Sequence, residues 1–168
     1  MRITTLILTA ALSQSLLAAA PSSPEKQVSE VLDSFHKSAS QAQLEPYFSH
    51  FAKDGVFIGT DVTERWTVEE FRAYVAPHFS KGKGWTYIPK DRHIAFNSNS
   101  TVAWFDENLE NPKYGTARGT GVLNLQNSEW KISQYHLAFP IPNDLAGSFT
   151  DIIKSFEAKT KSLPKASR

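Results

Sequence analysis

Apolar side chains in the first half of the chain recur three and four positions apart, the spacing of one face of a helix. This spacing covers residues 23–39 and, with several aromatic side chains, residues 41–52. Thr67 followed by Glu70 has the signature of a capping box, which predicts that a third helix begins there. Three helices are therefore expected before the pattern changes to strands.

Strands are predicted where apolar residues follow one another directly or alternate with polar residues. Asp54-Gly55 predicts a turn, and residues 56–58 predict a short buried strand after it. A series of longer strands, joined by turn-rich segments, occupies most of the second half of the chain. These strands are predicted at residues 85–89, 93–97, 101–109, 116–126 and 130–139.

A last helix, capped by Asn143 or Asp144, is predicted to extend to about residue 157. Helices followed by a run of antiparallel strands are typical of an α+β domain with helices on one face of the sheet. We therefore assign residues 21–145 to the folded domain and residues 146–168 to a C-terminal helix and basic tail.

The first twenty residues have a different composition from the rest of the chain. Arg2 precedes an apolar stretch that is too short to span a bilayer, and three alanines end it, as in a secretory signal peptide. We therefore expect residues 1–20 to be cleaved on export to the periplasm or the exterior. Stable membrane insertion is not expected.

Composition narrows the possible functions of the exported part. The 18 basic and 17 acidic side chains become equal in number once Arg2 is removed. The exported part therefore lacks the excess of positive charge that is typical of nucleic-acid-binding proteins, and nucleic acid is not expected as a partner. The 168 residues contain no cysteine, which excludes disulfides, thiolate metal sites and a cysteine nucleophile. The five histidines do not have metal-ligand spacing, so neither a metal nor a cofactor is expected.

Four strings, "FIGTDVTERWTVEEF", "AWFDENL", "RGTGVL" and "WKISQYHLAFPIPND", resemble the SnoaL-like branch of the nuclear transport factor 2 (NTF2-like) superfamily. The resemblance covers residues 25–144. It implies a cone, in which a bent antiparallel sheet packs against N-terminal helices around an apolar cavity, with an additional C-terminal helix here. It also implies a homodimer formed through the sheet. The superfamily includes isomerases, cyclases, dehydratases, hydrolases and interaction domains, so no single activity follows.

Two acids, Asp106 and Glu107, directly follow an apolar run, and Arg118 returns on the next strand. A turn centred near Pro112 places Arg118 opposite one of these acids, although the pattern does not decide which one. The charges either form a structural ion pair or face a ligand in the cavity. Related epoxide hydrolases use a carboxylate–arginine–carboxylate set, and Arg118 with Asp106 or Glu107 has the residue types of that set.

Asp61 and Glu64 lie on the loop after the first predicted strand. Ketosteroid-isomerase-like relatives carry a catalytic aspartate on the corresponding strand, but Gly59 occupies that position here. One interpretation is that Asp61 or Glu64 overhangs the cavity as a general base, and the isomerase chemistry of these relatives would need Asp61 to act from the loop. The alternative is that Asp61 only holds loop NH groups. Trp66 and Trp104 adjoin the candidate acids and are expected to form the cavity wall, or else to fill it.

His136 on the last predicted strand is either a proton-transfer group or a core histidine. Taken together, these features predict an exported domain that binds a small, largely apolar molecule in its cone, with metal-free general acid–base chemistry. The alternative is a non-catalytic dimerisation or interaction domain with a filled cavity. The catalytic candidates are Asp61, Glu107, Arg118 and His136. The ligand-binding candidates are Glu64, Trp66, Trp104, Asp106 and Tyr135.

Overall fold

The fold is taken from a computed structural model that describes residues 22–162. The predicted signal peptide and the last six residues of the basic tail lie outside the described residues. Within residues 22–162, no helix is both long enough and apolar enough to cross a membrane.

Three helices precede the main strands, as predicted: α1 (Pro24–Ser40), α2 (Leu44–Ser49) and α3 (Val68–Phe79). The predicted capping box at Thr67 and Glu70 is confirmed, with both reciprocal hydrogen bonds present. The second helix is shorter than predicted. It ends at Ser49 because the next residues join the sheet, where the His50 carbonyl accepts a hydrogen bond from the Ile132 NH.

Six strands form one bent, unclosed sheet in the order β2-β1-β6-β5-β4-β3. The strands are β1 (Phe51–Ile58), β2 (Arg65–Thr67), β3 (Ile88–Phe96), β4 (Val102–Asn111), β5 (Gly115–Gln126) and β6 (Glu129–Ala138). The predicted α+β fold is confirmed. One pair, β1 and β6, is parallel, so the sheet is mixed rather than wholly antiparallel.

Two predicted interruptions turn out to be irregularities within strands. Asp54-Gly55, predicted as a turn, lies inside β1 where the register shifts between Phe51 and Val56. The two strands predicted at 85–89 and 93–97 are largely the single strand β3, whose register shifts between Lys90 and His93. The shift in β3 is a β-bulge, with one extra residue opposite β4, and the shift in β1 is a longer irregularity with three extra residues opposite β6.

The core lies between the inner face of the sheet and the helices α1 to α3. Alternate residues of β4 face inward, among them Ala103, Phe105 and Leu109, while their neighbours face outward. Most of the core volume is aromatic, and stacked or edge-on ring pairs join the helices to the sheet. After β6, a short 3-10 turn (Asn143–Leu145) leads into α4 (Ala146–Ser162). Several large apolar side chains of α4 are exposed: Phe149, Ile152, Ile153 and Phe156.

Candidate functional site

The register of β4 and β5 separates Arg118 from both acids it was predicted to meet. Arg118 pairs with Asn108, Glu107 with Gly119, and Asp106 with Thr120, so the predicted pairing is wrong. The Asn111 side-chain oxygen accepts hydrogen bonds from the NH groups of the second and third turn residues, at 2.9 and 2.8 Å. This arrangement centres the turn one residue later than Pro112, and the whole register moves with it.

Four of the predicted site residues therefore lie on the outer face of the sheet. Arg118 and Asp106 are exposed there, and Trp104 is 48% exposed. The hairpin pairing of Leu125 with Trp130 is as predicted, but a bulge beyond it places His136 opposite Thr120 instead of Gly119. His136 consequently also faces outward. Asp106 makes a local contact with His93, at 3.3 Å between Oδ2 and Nδ1.

The Glu107 carboxylate points the other way, into the core, and is 0% exposed. Oε1 lies 2.7 Å from His36 Nε2, which donates because an ionised carboxylate only accepts. Oε2 accepts a hydrogen bond of 2.7 Å from Arg92 Nε. The Tyr135 hydroxyl donates to Oε1 at 3.3 Å. The ion-pair partner of Glu107 is thus Arg92 and not Arg118.

Arg92 extends this cluster to the first helix. Its Nη1 contacts the Ser29 carbonyl and hydroxyl at 3.1 and 3.0 Å and lies 2.8 Å from Asp33 Oδ1. Gly119 makes room on the sheet side, because a Cβ there would collide with the Tyr135 hydroxyl. The cluster therefore joins three strands, β3, β4 and β6, to α1 at one buried point.

The contacts within the cluster keep Glu107 and Arg92 charged at neutral pH. Burial alone raises the pKa of Glu107, but the hydrogen bonds and charges of His36 and Arg92 outweigh it, so the pKa is lower than usual. Burial lowers the pKa of Arg92, but the charges and hydrogen bonds of Glu107 and Asp33 together outweigh this effect, so the pKa is higher than usual. Burial and the nearby Glu107 charge raise the pKa of Tyr135 well above its usual range, so its hydroxyl remains a donor.

His36 and Arg92 were not among the predicted site residues. His36 stands four positions after Leu32 on the apolar face of α1, a position that could have indicated a buried histidine. For Arg92 the alternation of the strand gives no such signal. Residues 91 and 92 together oppose Glu107, and Asp91 has a φ of 43°, so the bulge turns Arg92 inward.

A separate cavity of about 380 Å³ opens between the loop after β1, α3, the segment before β3 and the end of β6. Eight of its twelve lining residues are aromatic. We call it the aromatic chamber. Its lining consists of Phe57, Gly59, Thr60, Glu64, Trp66, Phe71, Tyr74, Trp85, Tyr87, Tyr114, Leu137 and Phe139.

Glu64 is the one carboxylate in the lining of this chamber. Its backbone is fixed by hydrogen bonds with Gly59 NH and Asp61 carbonyl, at 2.8 and 2.9 Å. Its Oε2 accepts from the Asp61 NH at 3.2 Å. A Cβ on Gly59 would collide with the Glu64 carboxylate, so the acid fills the space that a side chain on Gly59 would otherwise take.

Asp61 instead faces its own loop. Its Oδ1 accepts hydrogen bonds from the Thr63 hydroxyl and NH at 2.6 and 2.8 Å, and both bonds lower the pKa of Asp61. Among the other polar groups of the chamber, Tyr87 has a raised pKa because of burial and the neighbouring Tyr114. Its phenol therefore stays protonated at neutral pH and can donate a hydrogen bond.

A model of the SnoaL-like domain matches residues 28–142, most of the chain. The chain belongs to the SnoaL-like domain family. The SnoaL-like chain has no significant match among curated proteins. Within residues 22–162 it contains no group of three His, Asp or Glu side chains placed to hold a metal ion.

Several solved structures are similar to this SnoaL-like domain. An NTF2-like protein of unknown function from Pseudomonas putida is 10% identical, with a TM-score of 0.59 over 71% of this chain and 88% of the other. A candidate NTF2-like dehydratase from Streptomyces avermitilis is 14% identical, with a TM-score of 0.57 over 71% and 97%. A candidate scytalone dehydratase from Novosphingobium aromaticivorans is 10% identical, with a TM-score of 0.57 over 70% and 84%. At these identities the similarity shows the fold alone.

The buried cluster predicts that the two arginines differ sharply in their effect on stability. Arg92→Ala leaves Glu107 without its cation in the core, so we expect the free energy of unfolding to fall by about 3–5 kcal/mol. Arg118→Ala removes an exposed charge and should change it by less than about 0.5 kcal/mol. Urea unfolding of both variants measures the difference. Equal effects of the two substitutions would show that Glu107 does not depend on Arg92.

The lowered pKa of Glu107 predicts an acid-sensitive stability. The folded pKa lies below the unfolded value of about 4.3, so the unfolded chain takes up the proton first as the pH falls. The stabilisation is complete above the unfolded pKa and is lost as the pH falls through the folded pKa. Thermal unfolding below about pH 5 should therefore show a steeper loss of midpoint in the wild type than in Glu107→Gln. Exposed acids such as Asp61 and Glu70 contribute to both proteins alike, and parallel profiles would contradict the prediction.

Proposed function

We propose that this SnoaL-like domain binds a small, ring-bearing and largely apolar molecule in the aromatic chamber, and that Glu64 exchanges a proton with it. The observation that carries the proposal is the lining of the chamber, with eight aromatic residues and a single carboxylate. The fold supports it, because SnoaL-like and NTF2-like folds commonly bind small molecules and two of the similar structures are candidate dehydratases.

The size and surface of the chamber suit such a ligand. Ligand sites have volumes of roughly 300–1,000 Å³ and are mostly apolar, with a few polar groups that fix orientation. The chamber, at about 380 Å³, lies in the lower part of that range. Trp66 stacks on Phe71 with ring centroids 5.5 Å apart and forms a wall without filling the space. An open chamber favours ligand binding over the alternative of an interaction domain with a filled cavity.

Glu64 is the acid whose position suits proton transfer. A carboxylate beside an apolar wall takes a proton from a ligand and returns it at a second atom, as isomerisation or dehydration requires. The Asp61 NH orients the carboxylate through Oε2, and the protonated Tyr87 phenol is available to bind a ligand oxygen. In this proposal Asp61 shapes the loop, and Glu64 is the one of the two loop acids that exchanges a proton with the ligand.

The two candidate wall tryptophans provide a matched test of ligand binding. The probe is methyl 2-naphthoate, a neutral two-ring ester, titrated into the full chain by calorimetry. Trp66→Ala should weaken its binding by about two- to tenfold, since an aromatic pair contributes roughly 0.5–1.5 kcal/mol. Trp104→Ala, on the outer face, should leave it unchanged. A Phe149→Ser, Phe156→Ser variant should also retain binding, and loss there would place the probe on α4 and contradict the proposal.

The role of Glu64 is tested with a probe that can donate a hydrogen bond. The phenol 2-naphthol should bind Glu64→Gln about tenfold more weakly than the wild type, because a bond to an ionised group contributes about 1.5–3 kcal/mol. Methyl 2-naphthoate cannot donate and should bind both proteins equally. Asp61→Asn, which keeps the oxygen that bonds Thr63, is the matched control and should be neutral. A larger loss with Asp61→Asn than with Glu64→Gln would assign the ligand contact to Asp61.

Export and homodimerisation belong to the proposal as well. Residues 1–20 support export, and N-terminal sequencing of the protein from its native compartment checks whether they are removed. Homodimerisation is supported by apolar side chains on the outer surface, including Trp104 and the exposed face of α4. Sedimentation of the full chain checks it, and a monomer at micromolar concentration would remove homodimerisation from the proposal.

A further inference from the structure

A second cavity of about 530 Å³ adjoins the aromatic chamber. The two share three lining residues, Tyr74, Trp85 and Tyr114, so one aromatic wall serves both. We call the second cavity the vestibule. The other residues that line it are His78, Lys83, Gly84, Thr86, Asn111, Pro112 and Lys113.

The ionisable side chains of Lys and His that line the vestibule are all basic. Lys83, Lys113 and the titratable His78 line it, and its lining contains no carboxylate. Within residues 22–162, neither lysine forms an ion pair with an acidic side chain. The Lys113 ammonium lies 4.6 Å from the ring centre of Tyr114, on the wall that the two cavities share. Two cations without acidic partners thus stand beside an aromatic chamber.

The backbone holds both lysines in place. The Asn111 side-chain oxygen binds the NH groups of Lys113 and Tyr114, and the Asn111 side-chain nitrogen donates to the Thr86 carbonyl at 3.0 Å. On the opposite segment, the Lys83 NH donates to the His78 carbonyl at 3.0 Å. The positive side of the vestibule is therefore built from two anchored turns rather than from loose chain.

We propose that the aromatic chamber and the vestibule form one composite site, and that its ligand is a ring-bearing molecule with an anionic group such as a carboxylate. This inference rests on the proposed function and specifies the ligand class. The rings occupy the chamber, and the anionic group lies in the vestibule beside Lys83 and Lys113. Because the vestibule lysines are exposed, the anionic group keeps part of its hydration and avoids the cost of full burial.

The test compares a matched pair of probes on the full chain by calorimetry. The probes are 2-naphthoate and its neutral methyl ester. We expect the anion to bind the wild type more tightly than the ester. In a Lys83→Gln, Lys113→Gln variant, binding of the anion should weaken by about three- to tenfold, the size expected for two exposed ion pairs. Binding of the ester should stay the same.

A Lys26→Gln, Lys53→Gln variant makes the same change in net charge outside both cavities and should bind both probes like the wild type. Raising the salt from about 50 to 500 mM should weaken binding of the anion alone, since the vestibule is open to solvent.

The outcomes separate this inference from the proposed function. If both probes bind equally, or if the vestibule variant does not discriminate between them, the composite site is wrong while the aromatic chamber stands. An equal loss in the control lysine variant also overturns the inference, because net charge would then explain the effect. If neither probe binds, the proposed function fails and the inference fails with it.

Discussion

The Glu107 carboxylate is buried between the sheet and α1, where an unpaired charge would cost several kcal/mol. Two hydrogen-bond partners from different elements, His36 on α1 and Arg92 on β3, compensate the cost of burying this carboxylate. Because Arg92 also binds Ser29 and Asp33, the charge fixes how the first helix lies on the sheet. The placement of α1 on the sheet also sets the space between them, which the aromatic core fills.

The polar groups of the domain are accordingly divided between two places. In the buried cluster, the Glu107 oxygens already have donors, so they have little capacity left for a ligand. In the aromatic chamber, Glu64 Oε2 accepts one backbone NH, and the carboxylate forms part of the cavity surface. A charge that is fully satisfied suits structure, and one that is only partly satisfied beside a cavity suits chemistry.

Local sequence patterns were sufficient to predict the α+β class, because such patterns depend on neighbours a few positions apart, while the cone was expected from the family resemblance. The capping box of α3 and the Leu125–Trp130 hairpin are of this kind. The site depended on register, which a single residue can shift. The hydrogen bonds of Asn111 centre the turn before β5 one residue later than predicted, so Arg118 does not meet Glu107. A bulge at Asp91 directs Arg92 inward, and Arg92 is therefore the ion-pair partner of Glu107. Glu64 was predicted near the cavity as an acid on the loop after the first predicted strand, and Trp66 because it adjoins that acid.

The Glu64 carboxylate occupies the space beside Gly59, and this arrangement affects how the position of the acid can vary among related domains. An acid rooted in a strand can move only if the strand moves, and strand pairing resists that. Here the strand supplies empty space at Gly59, and the following loop supplies the carboxylate. Insertions or deletions in that loop would relocate the acid while leaving the scaffold intact, which makes its placement adjustable among descendants of one ancestral cone.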